Sequence, residues 1–597
     1  MKKLLDKISS PEESPVKSAL KLGHFLFTKP GLAFLWRKVK TLSQRFGLEK
    51  EHEISFKDWL ATQEKATEPD RLTTHPLISI LVDNETFSFN AKPLRRILDQ
   101  PYTNWEMLIY NFPETEKNTQ SFVAGLCGKD NRVYVVTGNS EEPAAQMAIL
   151  AQAAEGDFLL FAADAGNLTT NALTEFAQYA NNNPDCDVLY ADEVVNMHRN
   201  HPQPYFKPGW SPDALLSRNY IGNCFLVKTA LYNTIGGINT AFPFYYNYDL
   251  LLRASEKATE IGHIAKVLYQ EELTRSFHKE QKQILEATLI RRGTPGEVIA
   301  DSAAEGVFFI DYAITKPGKV SIIIPTKDNV PMLRTTIESI VELTHYKDFE
   351  IVLLNNNSTT PAFFDLVEEY KEKYASFFKC IDASFPFNFS KLINLGVAES
   401  TGEYILMLNN DVEILQADWL ERMMGYAQLP HIGAVGVKLL FPDETIQHAG
   451  VVLGVGDGAS HSFINFPKES DVYFNYIQSV NNCSAVTAAC LMVRREVYRE
   501  VNGMDEALPV EFNDVDFCLK LTERGYYNVY IPSVELYHYE SATRGHPFRS
   551  HTAWKQHEHD MTYFKNKWGE LINNDPFYNP NLTTEHTDFR QKKRLKA

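Results

Sequence analysis

An internal repeat of alternating strand and helix patterns constrains the fold of this chain more than any other feature. Three pairs of stretches match between its halves: 105–109 with 349–353, 156–158 with 402–404, and 247–253 with 514–520. The spacing between matching stretches changes little along the chain, which indicates modest loop insertions in the second copy. At 597 residues the chain is too long for a single core. Two similar α/β domains in tandem are the economical interpretation.

Short apolar runs bounded by polar residues predict buried strands in both halves. The predicted strands are 77–82, 105–110, 156–161, 320–325, 349–354 and 404–408, and the predicted helices are 92–98, 171–179 and 332–343. The resulting division is a helical N-terminal segment (1–73), a first α/β domain (74–290), a linker rich in small residues (291–318), a second α/β domain (319–585) and a polar tail (586–597).

The N-terminal segment combines positive charge with bulky apolar residues. Residues 14–48 contain seven basic residues and no acidic one, although the whole chain has a formal net charge of −17. Basic residues interleaved with Phe, Leu and Trp suit the surface of an anionic membrane. Two short helices docked on the body of the protein are the alternative, and the sequence leaves both open.

Composition excludes several classes of protein. The net charge of −17 argues against nucleic acid as a partner. The seven cysteines contain no Cys-x-x-Cys pair, so they form neither a disulfide framework nor a zinc site and suit a reducing cytosol. No apolar run reaches the length of a membrane span. The expected location is therefore the cytoplasm, with peripheral attachment to the inner face of the membrane if residues 14–48 bind lipid.

The strand predicted at 404–408 ends abruptly on the polar residues Asn409, Asn410 and Asp411. Ligands of open α/β sheets bind beyond the carboxyl ends of the strands. A carboxylate there can hold Mg²⁺ or Mn²⁺ against a diphosphate, because these ions prefer oxygen ligands and keep positions open for phosphate. A polar turn after a strand would also account for these residues.

Three further stretches carry candidate functional groups. The acids of 511–516 open a predicted helix and offer a general base, although acids at a helix start are also favoured by its dipole. The predicted strand 534–540 contains His538, and a lone histidine is more often structural than a ligand. Residues 386–394 place amides and a hydroxyl ahead of the 404–408 strand, where they would suit a ribose and phosphates.

With the motifs at 321–328, 446–450 and 575–582, these stretches resemble a family-2 glycosyltransferase of the GT-A fold. The resemblance is closest to bacterial rhamnosyltransferase-type members that build surface polysaccharide such as O-antigen. It covers nearly all of 320–585, and the first half is similar more loosely, best at 205–222. The resemblance implies a metal-dependent inverting transfer of a sugar, such as rhamnose, from a nucleotide-sugar donor to a lipid-linked glycan. A transferase of another hexose, and a non-catalytic glycan-binding scaffold, are the alternatives.

The resemblance also implies a role for each matching residue. Asp514 takes the place of the catalytic base, and Asp411 and His538 take the places of the ligands of Mg²⁺ or Mn²⁺. The implied donor-nucleotide residues are Pro325, Thr326, Asp328, Asn355, Asn388, Lys391, Asn394, Asn409 and Asn410. The implied acceptor or sugar residues are Gln447, His448, Asn513, Asp516, Glu540 and Arg544.

The first half departs from the family at the three decisive positions. Ala165 stands in the place of Asp411, Asn247 in the place of Asp514, and Gln270 in the place of His538. Asp164 alone remains of the acidic motif. The first domain is therefore expected to be catalytically silent.

Overall fold

The computed structural model of the chain describes residues 72–83, 95–111, 125, 128, 130–162, 167–196, 202–271, 278–301, 304–456, 458–539 and 551–592. Several predictions lie outside these residues: the basic segment 14–48, Asp164 and Ala165 of the first half, and Glu540 and Arg544 of the second. Within the described ranges, no helix has both the length and the apolar content that crossing a membrane requires.

The chain forms two compact units, each discontinuous in sequence. The N-terminal unit contains Ile54–Ala313, Glu469–Asn482 and Asn574–Ala597. The C-terminal unit contains Ile314–Lys468 and Cys483–Asn573. The sequence predicts contiguous domains at 74–290 and 319–585, because patterning reports which segments are strands or helices but not which core a connecting segment joins.

The first half of the chain alternates strands and helices, as its patterning predicts. Its elements are β1 (Ile78–Val82), α1 (Arg95–Leu98), β2 (Trp105–Asn111), β3 (Val133–Thr137), α2 (Pro143–Ala153), β4 (Phe158–Phe161), α3 (Ala172–Asn182), β5 (Cys186–Asn196), β6 (Pro202–Tyr205), α4 (Pro212–Ser217), β7 (Phe225–Lys228), α5 (Thr229–Thr234), α6 (Tyr246–Ser255), β8 (Glu260–Glu271), α7 (His278–Arg292), β9 (Gly296–Ala300) and β10 (Phe308–Tyr312). The β9–β10 hairpin occupies most of the predicted linker.

The second half repeats this alternation with more elements. These are β11 (Val320–Thr326), α8 (Val330–Leu343), β12 (Phe349–Asn355), α9 (Pro361–Lys373), β13 (Phe378–Asp382), α10 (Phe389–Glu399), β14 (Tyr404–Leu408), β15 (Val412–Ile414), α11 (Trp419–Ala427), β16 (Ile432–Leu440), β17 (Ile446–His448), β18 (Val451–Leu453), β19 (Ala459–His461), α12 (Val472–Asn475), β20 (Asn481–Cys483), β21 (Cys490–Arg494), α13 (Arg495–Glu500), α14 (Asn513–Glu523), β22 (Tyr527–His538) and α15 (His551–Asn573). The predicted α/β class is confirmed.

The main sheets of the two units have the same strand order. The N-terminal sheet runs β3-β2-β1-β4-β7-β5, with β8 beside β5, and the C-terminal sheet runs β13-β12-β11-β14-β21-β16-β22-β15. In both, four parallel strands are followed by an antiparallel one, β7 or β21. The central parallel strands β1, β11, β12 and β14 are almost wholly buried, which is why their sequences read as continuous apolar runs, whereas the edge strands β3 and β13 are partly exposed.

A buried serine–glutamate contact stabilises the same corner of each sheet. In the C-terminal unit the Ser321 hydroxyl donates to Glu350 (2.8 Å), and the Gly402 N–H donates to Ser321 Oγ (2.8 Å). A Cβ on Gly402 would lie 2.4 Å from a backbone carbonyl oxygen and 2.6 Å from Ser321 Oγ, so only glycine fits. Ser79, Glu106 and Gly156 form the same contacts in the N-terminal unit.

Two late segments of the chain belong to the N-terminal unit. In the first, the Asn482 Nδ2 donates to Asp213 (2.7 Å). In the second, the Asn579 Nδ2 lies 2.9 Å from each carboxylate oxygen of Asp192, whose side chain is fully buried. Asp192 also accepts from the Lys207 N–H (2.9 Å) and contacts the His263 ring (2.8 Å), so Asn579 completes a buried polar network.

Candidate active site

Strand pairing brings Asp411 and His538 together at the carboxyl end of β14. Strand β14 ends at Leu408, and the short strand β15 pairs antiparallel with the end of β22, with Val412 opposite His538. The Tyr539 N–H donates to the Asp411 carbonyl (2.9 Å), which extends this pairing by one residue. The side chains meet with Asp411 Oδ1 3.2 Å from His538 Nε2. The Asn409 Nδ2 lies 3.1 Å from the same nitrogen.

Gln447 determines which nitrogen of His538 carries the proton. Its Nε2 donates to the His538 carbonyl (3.3 Å), which can only accept, so the amide orientation is fixed. The Gln447 Oε1 therefore faces the His538 Nδ1 at 2.5 Å, and Nδ1 must donate to it. In the neutral ring, Nε2 is then bare and directs its lone pair toward Asp411 and Asn409.

The environment of Asp411 fits a divalent cation. Asp411 is 4% exposed, and its Oδ1 receives no hydrogen bond from any group in the described ranges. A bare imidazole nitrogen and a carboxylate oxygen 3.2 Å apart repel each other unless a cation lies against both or the ring is protonated and forms an ion pair with the carboxylate. Across the described part of the chain, no three His, Cys, Asp or Glu side chains form a metal site. Asp411 and His538 would therefore share the ion with diphosphate and water oxygens, as Mg²⁺ sites commonly do.

Asp514 lies in the first turn of α14 and is linked to the same strand end. It is partly exposed, and its Oδ2 accepts from the Ala488 N–H (3.1 Å). The next residue, Ala489, accepts through its carbonyl from the Asn409 N–H (3.0 Å). The segment before β21 thus joins Asp514 to the Asp411–His538 pair through two backbone hydrogen bonds. A carboxylate that is partly exposed and held by a backbone N–H can remove a proton from a bound hydroxyl.

The predicted nucleotide residues Pro325, Thr326 and Asn355 lie at the ends of β11 and β12. Thr326 is buried, and its Oγ1 accepts from Asn410 (2.9 Å), which links β11 to the end of β14. Asn355 is also buried, and its Nδ2 donates to Asp382 (2.8 Å) at the end of β13. Pro325 is partly buried in β11. These residues all lie at the carboxyl ends of parallel strands.

Asp328 closes the loops that follow β11 and β12. Its Oδ1 accepts from the N–H groups of Thr359 (2.9 Å) and Thr360 (3.0 Å) and from the Thr360 hydroxyl (2.9 Å). Burial acts to raise the pKa of Asp328, but these hydrogen bonds outweigh it, and the pKa is lowered from its usual value. The carboxylate is thus occupied by the start of α9.

The amides of α10 contact a protein loop. The Asn388 Oδ1 caps α10 by accepting from the Lys391 N–H (2.9 Å), and its Nδ2 donates to the Glu506 carbonyl (2.8 Å). Asn394 contacts Met504 and Glu506. Lys391 itself is exposed, with its ammonium 4.7 Å from the centre of the Phe385 ring.

The four described acceptor or sugar candidates are all buried. Gln447 accepts a hydrogen bond from the His538 Nδ1 through its Oε1. His448 is fully buried, and burial, with smaller effects of His461 and His538, lowers its pKa well below the usual value. Asn513 donates to the Val510 carbonyl (3.2 Å). Asp516 accepts from the Trp568 indole N–H (2.7 Å) on α15. Their predicted contacts with sugar or acceptor remain predictions.

The corresponding positions of the first half carry different groups. Asn247 lies in the first turn of α6, is 8% exposed, and its Oδ1 has no hydrogen-bond partner among the described residues. Gln270 lies on β8 and pairs with Val194 of β5. Neither side chain can act as a carboxylate base or as an imidazole ligand.

Two features escaped sequence reasoning. One is the orienting role of Gln447, which depends on a partner 91 residues away. The other is α15, whose buried His557 and Asp560 contact the segment before Asp514. The spacing of its buried residues, at His557, Asp560, Phe564 and Trp568, is the helical signal that could have revealed a packing face.

Comparison with known proteins places this geometry in a family. Residues 321–501 match the model of the glycosyl transferase family 2. The chain is 35% identical over 544 residues to the uncharacterized protein y4gI of Sinorhizobium fredii, covering 87% of this chain and 59% of that protein. It is 33% identical over 536 residues to the O-antigen biosynthesis protein RfbC of Myxococcus xanthus, covering 87% of this chain and 41% of that protein. The chain therefore spans only about half the length of these relatives.

The chain is also similar, more weakly, to a rhamnosyltransferase and to a mannosyltransferase of known structure. An N-acetylglucosaminyl-diphospho-decaprenol L-rhamnosyltransferase of Mycobacterium tuberculosis is 35% identical over 78 residues, which cover 13% of this chain and 24% of that protein. Among solved structures, a mannosyltransferase from Pyrobaculum calidifontis in complex with GDP-Man and Mn²⁺ has a TM-score of 0.31 at 16% identity, covering 49% of this chain and 72% of that one, too low for an argument. Residues 321–501 of this α/β chain thus belong to the glycosyl transferase family 2, and the two long relatives resemble the chain over 87% of its length.

Proposed function

We propose that the second half of the chain is a metal-dependent, inverting glycosyltransferase domain that extends a surface glycan. One observation carries this proposal: Asp411, His538 and Asp514 are joined at one end of the sheet through the 487–489 segment. A base and a pair of metal ligands at the carboxyl ends of parallel strands are the groups that a single displacement at a nucleotide sugar requires.

The proposed mechanism assigns a distinct task to each group. Asp514 accepts the proton of the acceptor hydroxyl as that oxygen attacks the anomeric carbon, and the bond to the nucleoside diphosphate breaks on the opposite side. Asp411 and His538 would hold Mg²⁺ or Mn²⁺, which would supply positive charge against the leaving diphosphate. Asn409 and Asn410 hold the end of β14 in position. One displacement inverts the configuration, and no covalent intermediate with the protein is needed.

The relatives that the chain resembles support the proposed donor and acceptor. Similarity to an O-antigen biosynthesis protein and, over a short stretch, to a rhamnosyltransferase supports a nucleotide-activated sugar such as dTDP-rhamnose and a growing, lipid-linked glycan as acceptor. Galactose or a hexosamine is the alternative sugar. Because Asn355 and Asn409 stand where the resemblance implies acids, more than one nucleotide is tested as the donor.

The remaining parts of the chain support the transferase half in this proposal. The first half is a GT-A-like domain in tandem with the second, and it is non-catalytic because Asn247 and Gln270 stand where a base and a metal ligand would be needed. It serves as a platform for the acceptor chain. Residues 14–48 attach the protein to the cytoplasmic face of an anionic membrane, near its lipid-linked acceptor.

Asp514→Asn tests the catalytic assignment. Asparagine has nearly the same shape but cannot accept the proton of the acceptor, so transfer should fall by about 10²–10⁴-fold. The assay is release of nucleoside diphosphate from dTDP-rhamnose, UDP-galactose and UDP-N-acetylhexosamines, with donor affinity measured in parallel.

Asn247→Ala, at the matching position of the first half, is the control and should leave transfer within about twofold. Near-normal turnover by Asp514→Asn would remove this residue from the mechanism. Loss of one of two product linkages in Asn247→Ala would show that the first half is also active.

A further inference from the structure

The segment that delivers Asp514 to the site is not part of the sheet. Residues 501–512 connect α13 to α14 without forming a helix or strand, and 504–512 are the part of this loop next to α14. Phe512, two residues before Asp514, has a φ of 59°, a left-handed conformation that a phenylalanine adopts only when its surroundings impose it. Contacts with other elements must therefore fix the position of this loop.

Helix α10 holds the loop on one side with side-chain amides. The Asn394 Oδ1 accepts from the Met504 N–H (3.0 Å), and its Nδ2 donates to the Met504 carbonyl (3.0 Å) and the Glu506 carboxylate (3.0 Å). The Asn388 Nδ2 donates to the Glu506 carbonyl (2.8 Å). The Ser390 hydroxyl donates to the Leu508 carbonyl (2.7 Å). The cap residue Asn388 and two side chains of α10 thus contact Met504, Glu506 and Leu508 of the loop.

Helix α15 holds the end of the loop with one buried face. The His557 Nδ1 lies 2.5 Å from Glu511 Oε2, and the buried Asp560 carboxylate accepts from the Glu511 N–H (3.1 Å). One turn further, the Phe564 ring stacks on Phe512, with ring centres 4.8 Å apart and planes within 8°. The stacking and the hydrogen bonds together account for the left-handed conformation of Phe512.

We infer that α10 and α15 are positioning elements for Asp514 and that Asn388 and Asn394 serve the loop rather than the nucleotide. The inference rests on the proposed function, because it takes Asp514 as the base. Both polar atoms of each amide already have partners in the loop or in the helix cap. A nucleotide could bind these amides only by displacing hydrogen bonds that hold the loop.

Asn388→Ser separates the loop contact from the helix cap. Serine caps a helix about as well as asparagine, so α10 should remain intact, while the donor to the Glu506 carbonyl is lost. Turnover should fall about 10-fold with the donor KM unchanged, because a small displacement of a reacting group costs rate rather than donor affinity. Amide hydrogen exchange of 504–511 should become faster. Glu399→Ala at the far end of α10 is the matched control and should change neither quantity.

The α15 side of the inference is tested by His557→Ala and His557→Asn. Alanine removes the donor to Glu511 and should lower turnover and speed exchange in 504–511. Asparagine places an N–H near the position of the histidine Nδ1 and should restore both. Failure of asparagine to rescue while alanine is defective would overturn the role of the His557–Glu511 contact.

Measuring the binding of dTDP, UDP and GDP, each with Mn²⁺, to Asn388→Ser shows whether the amide contacts the nucleotide or holds the loop. Weaker nucleotide binding with unchanged exchange in 504–511 would overturn the inference, and so would faster exchange with unchanged turnover. An active Asp514→Asn variant would overturn the proposed function and, with it, the role of the loop in positioning a base. A turnover loss in Asn388→Ser at unchanged donor affinity would still show that the loop must be held.

Discussion

At the scale of single residues, the arrangement of the site depends on the side-chain amide of Gln447. Gln447 orients His538 through two contacts, one to its carbonyl and one to its ring. The second contact leaves Nε2 bare beside Asp411. A ligand held in one tautomer and one orientation binds a metal ion more tightly than a ring that must be ordered on binding.

This orientation predicts a graded metal requirement. EDTA should abolish transfer, and Asp411→Ala and His538→Ala should each raise the Mn²⁺ concentration needed to restore it. Gln447→Leu keeps both ligands but releases the ring, so it should raise that concentration by about 10–100-fold. The measurement is a Mn²⁺ titration of transfer and, independently, of thermal stabilisation.

Thr445→Ala, next to the same strand, is the control and should behave as the unaltered protein. Activity that is indifferent to the chelator would contradict the assignment of Asp411 and His538. A normal Mn²⁺ requirement in Gln447→Leu would contradict only the orienting role of the amide.

The resemblance selects Asp411, His538 and Asp514 from the sequence. In the structure Asp411 contacts His538, and Asp514 accepts from the Ala488 N–H, while the role of each residue stays a prediction. The resemblance does not say which groups each side chain contacts. Asn388 and Asn394 look like ligand-binding amides in the sequence, but each also donates to groups of 504–506, more than 100 residues away, and no local pattern encodes such a contact.

At the scale of elements, the serine–glutamate corner links three strands of each sheet. In the C-terminal unit, burial acts to raise the pKa of Glu350, but the Thr401 N–H, Lys379 and Ser321 outweigh it and lower the pKa to about 2. A carboxylate with a depressed pKa contributes stability above its ordinary value near 4.5, and this contribution is lost as the pH falls toward 2.

Glu350→Gln should therefore be less stable than the unaltered protein at pH 7, and the difference should shrink between pH 4.5 and 2. The measurement is the melting temperature of both proteins across this range. Glu399→Gln, which lies on an exposed surface of the same unit, should show no such dependence. A constant difference across the range would show that Glu350 is not held as a carboxylate.

Strands were the most predictable elements, because their apolar runs are short and sharply bounded. The strand Tyr404–Leu408 has the bounds that its sequence predicts, and β11 and β12 extend one residue further than predicted. The repeat at 105–109, 156–158 and their counterparts contains the glutamate and glycine of the corner contact. The sequence does not show why this glutamate and this glycine recur, because the serine hydroxyl that joins them lies on a third strand.

At the scale of the whole molecule, the last described residues stabilise the first unit. Asn579 donates to Asp192 and to the Lys207 carbonyl, and Asn581 donates to the Ala265 carbonyl (2.9 Å). Removing a donor from a buried carboxylate costs about 1–3 kcal/mol. Asn579→Ala should therefore speed amide exchange in β5 and β8 and leave β11 and β12 unchanged.

Asn573→Ala is the control for that experiment, because its Nδ2 contacts only the preceding turn of α15. Equal loss of protection in both units would show that Asn579 supports the fold as a whole. No loss in β5 or β8 would show that the buried network closes without it.

The return of the chain to its first unit has a consequence for the order of synthesis. A ribosome releases the N-terminal end first, and contiguous domains fold as they emerge. Here the N-terminal unit waits for 469–482 and then for the segment after Asn573, so it cannot close before 314–468 and 483–573 of the other unit have been made. Until Asn579 has been made, Asp192 is a carboxylate without its final donor. A nascent chain stalled before Asn579 should thus carry an N-terminal unit that proteases still cut.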